Sequence, residues 1–351
     1  MNEALGTIDE LPAEYIEALS GESTQPLWPS LRSILPYDKP HHRTQPHLWR
    51  YEALRPLLLK AGELTPIEKA ERRVLMLANP GLEGEPFATA SIFFGLQLIL
   101  PGETAPNHRH SPSAVRLIVE GDGGFTTVEG ERCPMGPGDV ILTPALLWHE
   151  HEHRGDGPMV WLDALDAPLV VKMEAAYCIE GEPQNAGNRP DSSQTRYRRA
   201  GLVPYDKLDR IAEHYPQFRY PWNDVRGALT DMAGGAGPSD PVQLAYVNPE
   251  TGGECMPVLG FSAIMLRPGE EMVAPRRSAS AGFLVIEGQG ESEIDGRTLK
   301  WQENDVMAAP THATIRHRNA SSKTPAFLIQ IDDAPMQRKL GFYEVLANGS
   351  E

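Results

Sequence analysis

His108 and His110 stand two residues apart, and His149 follows 39 residues after His110, directly behind the β-prone run DVILTP. On an extended strand a spacing of two puts both imidazoles on one face. If the intervening chain folds back on itself in an antiparallel barrel, the third ring can meet the first two. Three neutral imidazoles then occupy one face of a metal's octahedron and leave the opposite positions open for a substrate and a small molecule such as dioxygen. A lone histidine is more often a packing or surface residue. The metal reading rests on the pair and His149 falling together in a barrel-like stretch of sequence.

That stretch runs from Arg73 to Asp166. Short β-prone segments (ATASIFFGLQLIL, AVRLIVEG, GGFTTVEGE, DVILTP, PMVWLDALD) alternate with Gly- and Pro-punctuated gaps, the texture of an antiparallel barrel or jelly roll. It recurs. LPGETAPNHRHSPSAVRLIVEGDG (100–123) aligns with RPGEEMVAPRRSASAGFLVIEGQG (267–290), and MGPGDVILTP aligns with WQENDVMAAP. Gly121 and Gly288 lie 167 positions apart and Pro144 and Pro310 lie 166 apart, so the barrel is duplicated. The expected fold is an all-β core of two barrels with a helical N-terminal region and a linker. Residues 1–70 read as helical and irregular, with helix-like spacing at Glu14–Leu19 and Tyr51–Lys60. Residues 71–171 form the metal-bearing barrel, 172–242 a Gly/Pro/Ser-rich linker with a short helix at LDRIAEHY, and 243–351 the second barrel and tail. The second-barrel positions matching the three histidines are Pro275, Arg277 and Ile315, which offer no imidazole; His312 and His317 read as surface or packing residues. The second barrel is therefore expected to be a metal-free scaffold.

Composition narrows the function. With 351 residues the chain can bury two cores. A net charge of −16 makes nucleic acid and anionic membranes poor partners, so an anionic ligand must meet locally placed arginines. Three widely spaced cysteines (Cys133, Cys178, Cys255) give no disulfide framework. The N-terminus, MNEALGTIDELPAEYIEAL, is acidic and unlike a secretory signal, and the most apolar run, 91–101, is too short to span a bilayer, so the expected location is the cytoplasm.

Gly102, His108, His110 and Gly121, followed by Gly138, Pro144, Leu146 and His149, resemble the two-part cupin signature. The signature's glutamate falls on Ala114 and one of its glycines on Leu146. The remaining three-histidine set without a carboxylate resembles that of the aromatic ring-cleaving cupins. LANPGL (77–82), APNHRHSPSAVRLIVEG (105–121), VWLDALDAPL (160–169), YPW (220–222) and YVNPETGG (246–253) are similar to the gentisate 1,2-dioxygenase family, which also includes salicylate and 1-hydroxy-2-naphthoate dioxygenases. The resemblance implies two cupin (double-stranded β-helix, or jelly-roll) barrels, Fe(II) held by His108, His110 and His149, and cleavage of gentisate between its carboxyl- and hydroxyl-bearing carbons to give maleylpyruvate. Both oxygen atoms of dioxygen enter the substrate, so no nicotinamide or flavin is called for, and no G-x-G-x-x-G loop stands between a strand and a helix. A homotetramer is implied by the resemblance alone.

The resemblance also assigns the neighbours. Arg116, at an even offset from His110, shares the ligand face; a cation beside a metal repels it unless an anion lies between, and a substrate carboxylate would be that anion. The plain alternative is a salt bridge. His151 shares the face of His149 and is expected to hydrogen-bond a substrate hydroxyl or move its proton. Asp163, in an apolar run, needs a partner and is expected to orient His151 or meet a ring hydroxyl. Arg72, Gln97 and Phe93 match pocket positions, with Arg73 competing for the place of Arg72 and Phe93 standing where some members carry Trp.

Rival readings exist. WHEHEHRG contains HExxH (His149, Glu150, His153), but a zinc protease needs it on a helix. Pro144 and RGDGP leave no room for one, and the alternation suits a strand, with His153 expected to face solvent. RGD (154–156) reads as a turn. A Zn(II) or Mn(II) cupin isomerase or hydrolase is disfavoured by the missing carboxylate ligand and by Arg116. A non-catalytic metal-binding bicupin, a sensor or storage protein, has no reason to keep the triad in one barrel only.

Overall fold

The computed structural model describes residues 5–184, 191–207 and 211–346. The chain divides into two units, Met1–Arg43 and Thr44–Glu351. The first holds a helix at Ala13–Gly21 and shorter turns, and none of residues 5–43 is buried.

The second unit opens with β1 (His47–Trp49) and a helix, Tyr51–Leu64. The first barrel follows: β2 (Arg73–Met76), β3 (Phe93–Ile99), β4 (Thr104–His110), β5 (Ala114–Glu120), β6 (Gly124–Val128), β7 (Glu131–Met135), β8 (Val140–Thr143), β9 (His149–His153) and β10 (Met159–Leu165). After a helix at Ala167–Lys172 come β11 (Cys178–Glu180), a helix at Ser192–Tyr197, β12 (Arg219–Tyr220) and a helix at Trp222–Gly235. The second barrel comprises β13 (Val242–Ala245), β14 (Gly260–Leu266), β15 (Glu271–Val273), β16 (Arg276–Arg277), β17 (Ala281–Glu287), β18 (Gln289–Ile294), β19 (Arg297–Gln302), β20 (Val306–Ala309), β21 (Ile315–Asn319) and β22 (Ala326–Asp332). A helix at Ala334–Leu340 and β23 (Val345–Leu346) close it.

Each barrel presents a six-stranded sheet, ordered β12-β8-β5-β10-β3-β2 in the first and β1-β20-β17-β22-β14-β13 in the second. These sheets pack back to back. Phe94, Leu96, Leu98, Val115, Leu117, Val160 and Leu162 of one share a core with Ala263, Leu284, Val306, Phe327 and Ile329 of the other. The alternate residues of the same strands point into their own barrels. Ile99, Ile118, Ile141, Met159 and Trp161 form a smaller core inside the first, while Ile264, Phe283, Val285, Met307 and Leu328 help fill the second. Strands buried on both faces must be apolar along their length, which is why AVRLIVE and AFLIQID read as near-continuous hydrophobic runs.

The duplication extends further than the two sequence blocks, and it changes how the flanking regions are read. β1 lies before the first barrel yet pairs with β20 of the second; β12 lies before the second barrel yet pairs with β8 of the first. In each case the helix that follows is pinned by an aspartate of the barrel just joined: Tyr51 N donates to Asp305 Oδ1 at 2.8 Å and Trp222 N to Asp139 Oδ1 at 2.8 Å. At the far end, β11 pairs with β4 as β23 pairs with β16. Residues 47–70 are therefore sheet and packing elements of the barrels, as are 178–184 and 219–235. The expected helix at LDRIAEHY is not found over 211–215, which is irregular; 208–210 lie outside the described residues. Helices form instead at Ser192–Tyr197 and Trp222–Gly235.

Gly282 of β17 meets Phe94 of β3 between the two sheets, and a Cβ there would overlap the ring of the fully buried Phe94. Gly282→Ala is expected to lower stability by about 1–3 kcal/mol through overpacking. Chemical denaturation should show part of that loss recovered in Gly282→Ala/Phe94→Leu.

Candidate metal centre and active site

His108 and His110 end β4, and His149 begins β9, its partner strand; His108 and His149 are directly paired. The ladder slips between Ala105 and His108, a bulge that re-aims the strand end. The ring centroids of His108, His110 and His149 lie 4.1–5.5 Å apart, and one nitrogen from each falls within 4.8 Å of the others. Each Nδ1 contacts a main-chain carbonyl: His108 that of Pro106 at 2.8 Å, His110 that of Pro112 at 2.7 Å, His149 that of Leu147 at 2.9 Å. A carbonyl only accepts, so each Nδ1 carries the proton and each Nε2 keeps its lone pair. Burial, with Arg72 and Arg116 adding to it, pushes His108 down to about 3 and His110 to about 4, and burial with Arg116 depresses His149 as well, so all three are neutral near pH 7. His149 Nε2 is buried without a hydrogen-bond partner among the described residues. Three oriented, neutral donors with an orphaned lone pair fit a divalent metal and leave several coordination positions free. Leu146, which replaces the cupin glycine, takes φ +63° and donates its N–H to His110 O at 2.9 Å, so the turn keeps its glycine-like shape.

Above the triad the barrel interior is polar. Across the sheet, Asp163 on β10 pairs with Arg116 on β5 and Gly95 on β3, so the three positions form one inward-facing row. Arg116 is 3% exposed. Its Nη1 donates to Thr143 Oγ1, its Nε stands 3.5 Å from Asp163 Oδ1, and Nε makes no hydrogen bond among the described residues. Burial lowers its pKa to about 10 against the pull of Asp163, leaving a charged and under-satisfied guanidinium. Burial raises Asp163 to about 6, with Arg116 opposing. Of the two expectations for Asp163, the bond to His151 is not found among the described residues; its Oδ1 accepts from Trp161 Nε1 at 3.0 Å. His151 is fully buried, its Nδ1 3.0 Å from Thr126 Oγ1 and its Nε2 without a hydrogen-bond partner among the described residues.

Gln97 pairs with Trp161 and Phe93 with Leu165 along the same inward face of β3. Arg72 and Arg73 separate cleanly. Arg73 is buried and forms an ion pair with Glu103. Arg72 is half-buried, its Nε lacks a hydrogen-bond partner among the described residues, and its charge depresses His108, His110 and His151. His153 does not face solvent: it is 1% exposed, with Nε2 2.5 Å from Gly157 O. HExxH lies on strand β9, with Glu150 outside the barrel.

Thr143, Thr126, Trp161 and Gly95 escaped the sequence reading. Trp161 lies two residues from Asp163 on one strand; the others face the site because Thr126 pairs with His151, Gly95 with Asp163 and Thr143 with Ala114, two before Arg116, and that pairing is known only once the sheet is. A Cβ on Gly95 would crowd Val74 and Phe93, so its absence keeps space open in the Arg116–Asp163 row.

In the second barrel, Phe283 takes the place of Arg116, and Gln330, paired with it across the sheet, that of Asp163. His317 packs beside Phe283 and contacts Ser292 Oγ at 2.7 Å, repeating the His151–Thr126 pair. One other group of metal-capable side chains occurs among the described residues, Glu131, Cys133 and Asp191. There Ser193 satisfies Glu131 and Arg219 pairs with Asp191 at 2.6 Å, so a cation would meet a guanidinium.

Fold and site together define a two-barrel cupin with a trihistidine metal centre in its N-terminal barrel. Residues 95–165 match the cupin domain family. The chain is 50% identical to a gentisate 1,2-dioxygenase of Ralstonia sp, over 98% of this chain and 97% of that protein, and 38% identical to gentisate 1,2 dioxygenase 1 of Aquipseudomonas alcaligenes, over 95% and 96%. It superposes on the salicylate 1,2-dioxygenase of Pseudoaminobacter salicylatoxidans, in a crystal structure of adducts with gentisate, with a TM-score of 0.89 at 31% identity, covering 99% of this chain and 96% of that one. The chain belongs to the gentisate 1,2-dioxygenase family. No helix among the described residues is long and apolar enough to cross a membrane.

Elemental analysis of protein loaded under anaerobic conditions should find about one divalent metal per chain, and His108→Ala should abolish it. Retention of stoichiometric metal by His108→Ala would place the site elsewhere.

Proposed function

We propose that this protein is an Fe(II)-dependent gentisate 1,2-dioxygenase, opening the ring between the carboxyl- and hydroxyl-bearing carbons to give maleylpyruvate. The observation that carries the reading is the buried, under-satisfied Arg116 guanidinium in the same barrel mouth as three metal-ready imidazoles. Full-length identity to gentisate dioxygenases supports the substrate.

Fe(II), held by His108, His110 and His149, supplies the one-electron chemistry that lets ground-state dioxygen react with an aromatic ring. The chain's own residues do the rest. Arg116, braced by Thr143 and Asp163, binds the substrate carboxylate, and that anion completes the pairing of a cation already stripped of water. Arg72 adds positive charge at the same mouth. His151, neutral and held through Nδ1 by Thr126, offers Nε2 to a substrate hydroxyl and can hold its proton. Gln97 and Phe93 line the ring's face on β3. Asp163 acts through Arg116 and Trp161. The apolar floor of Ile118, Ile141 and Trp161 keeps water from beneath the ring.

Dioxygen uptake by the Fe(II)-loaded protein, offered gentisate, salicylate and 1-hydroxy-2-naphthoate in parallel, tests the assignment. Gentisate should be consumed one-to-one with dioxygen and yield the ring-opened product. Absence of uptake with all three, despite bound iron, would overturn it. Arg116→Gln should lower kcat/KM for gentisate about 10–100-fold, the loss of one charged hydrogen-bonded anchor, with metal content unchanged. A wild-type kcat/KM in that variant would remove Arg116 from the binding site.

A further inference from the structure

Between its two metal-bearing strands the first barrel is missing part of its ladder. β4 and β9 lose register between Ala105 and His108, just where the ligands begin, and a bulge forfeits the hydrogen bonds that would fix the spacing of the strands. The three Nε2 atoms depend on that spacing. The stretch that crosses the outside of the barrel at this point, residues 175–184, falls in the part of the chain that reads as linker.

Its contacts are concentrated on the residues next to the ligands. Cys178–Glu180 pairs in register with His110–His108. Beside His110, Ser111 N donates to Tyr177 O at 3.0 Å, and Tyr177 N donates to Ser111 Oγ at 2.9 Å. Beside His108, Asn107 O accepts from Gly181 N at 2.9 Å, and Asn107 Nδ2 donates to Glu182 O at 2.7 Å. Gln184 then joins three strands. Its Nε2 donates to Asn107 Oδ1 at 2.9 Å, its main-chain N–H donates to Glu150 Oε2, next to His149, at 3.0 Å, and its Oε1 accepts from Gly130 N, beyond the end of β6, at 2.6 Å. Asn107 is 5% exposed, so these bonds are shielded from water and hard to replace. In the second barrel the position of Asn107 is held by Ala274, which has no side-chain donor or acceptor, and the strand is broken into β15 and β16.

We infer that residues 178–184 are a metal-retention strap, with Gln184 and Asn107 as positioning residues that hold His108 and His149 at ligand distance from outside the barrel. This rests on the metal reading of the triad. The strap stands in for the broken ladder: Asn107 fixes the strand end carrying His108, Glu150 the strand start carrying His149, and Gln184 fixes one against the other. Neither residue touches substrate or metal, so their loss should loosen the ligands without removing one.

The test uses full-length protein carrying Gln184→Met, which keeps the side chain's bulk without its hydrogen bonds, with Asn107→Ser as a second variant and Glu182→Ala as control, since Glu182 contributes only its main-chain carbonyl. Each is loaded anaerobically with Fe(II), and in parallel with Co(II), and the rate of metal transfer to a chelator is followed. Thermal unfolding is recorded with and without metal. Gln184→Met and Asn107→Ser should release metal roughly 10–100-fold faster than wild type, the range for partners that orient ligands. The rise in Tm on metal loading should shrink in both, because that rise measures metal affinity. Glu182→Ala should match wild type. Unchanged release, with Tm lowered equally in loaded and metal-free protein, would reduce the strap to ordinary packing and overturn the inference. Failure of the wild type itself to take up either metal would instead overturn the metal centre on which it stands.

Discussion

The site depends on tying each imidazole by its Nδ1 proton to a main-chain carbonyl. Without those three bonds the rings would rotate, tautomerise and present a mixture of N–H and lone pair to the barrel interior. With them, three lone pairs converge in a region where burial keeps every ring neutral. The carbonyls belong to residues two positions from the histidines, so the tethers are local. What is not local is the meeting of β4 with β9, and that meeting is a property of the barrel.

The barrel in turn is held from behind. Its six-stranded sheet is buried on both faces, one against the second barrel and one around the site, so the strands that carry Arg116, Asp163 and Gln97 have little freedom to shift. The exchange of β1 and β12 between the barrels adds a strand from each half to the sheet of the other. The second barrel thus serves the first as a rigid wall. Its own interior shows the alternative outcome of the same fold: Phe283 replaces the guanidinium, and an apolar core takes the place of the polar mouth.

Polar groups inside a β-barrel are costly unless each has a partner. Here the partners form a connected set, Thr143 to Arg116 to Asp163 to Trp161 and Thr126 to His151. The set is nearly complete. Four of the buried atoms without hydrogen-bond partners among the described residues, His149 Nε2, His151 Nε2, Arg116 Nε and Arg72 Nε, belong to this barrel's candidate site, where a ligand could complete them; others lie elsewhere in the molecule.

The triad could be read from the sequence because strand periodicity is two and the barrel is repeated; those facts alone place His108 and His110 on one face and His149 in a matching block. The inward placement of Arg116 and His151 follows from the same parity. Parity does not say which neighbour a side chain meets. Asp163 turned to Arg116 and Trp161 rather than to His151, because that choice depends on strand register across the sheet. His153 went into the barrel rather than to solvent, as its even offset from His149 on one strand requires. Arg73 is the first residue of β2 and Arg72 lies in the bend before it, so strand parity does not separate them and the folded chain decides which one stands near the site. β11 and β12 are two or three residues long, too short to carry a periodic signal, and their partners lie about 70 to 80 residues away. Local pattern thus determined the barrels and the grouping of three histidines that could hold a metal. Tertiary structure alone decided the partners of the buried charges, the exchange of strands and the pairing of β11 with β4, because each is a contact between segments whose own sequences give no sign of one another.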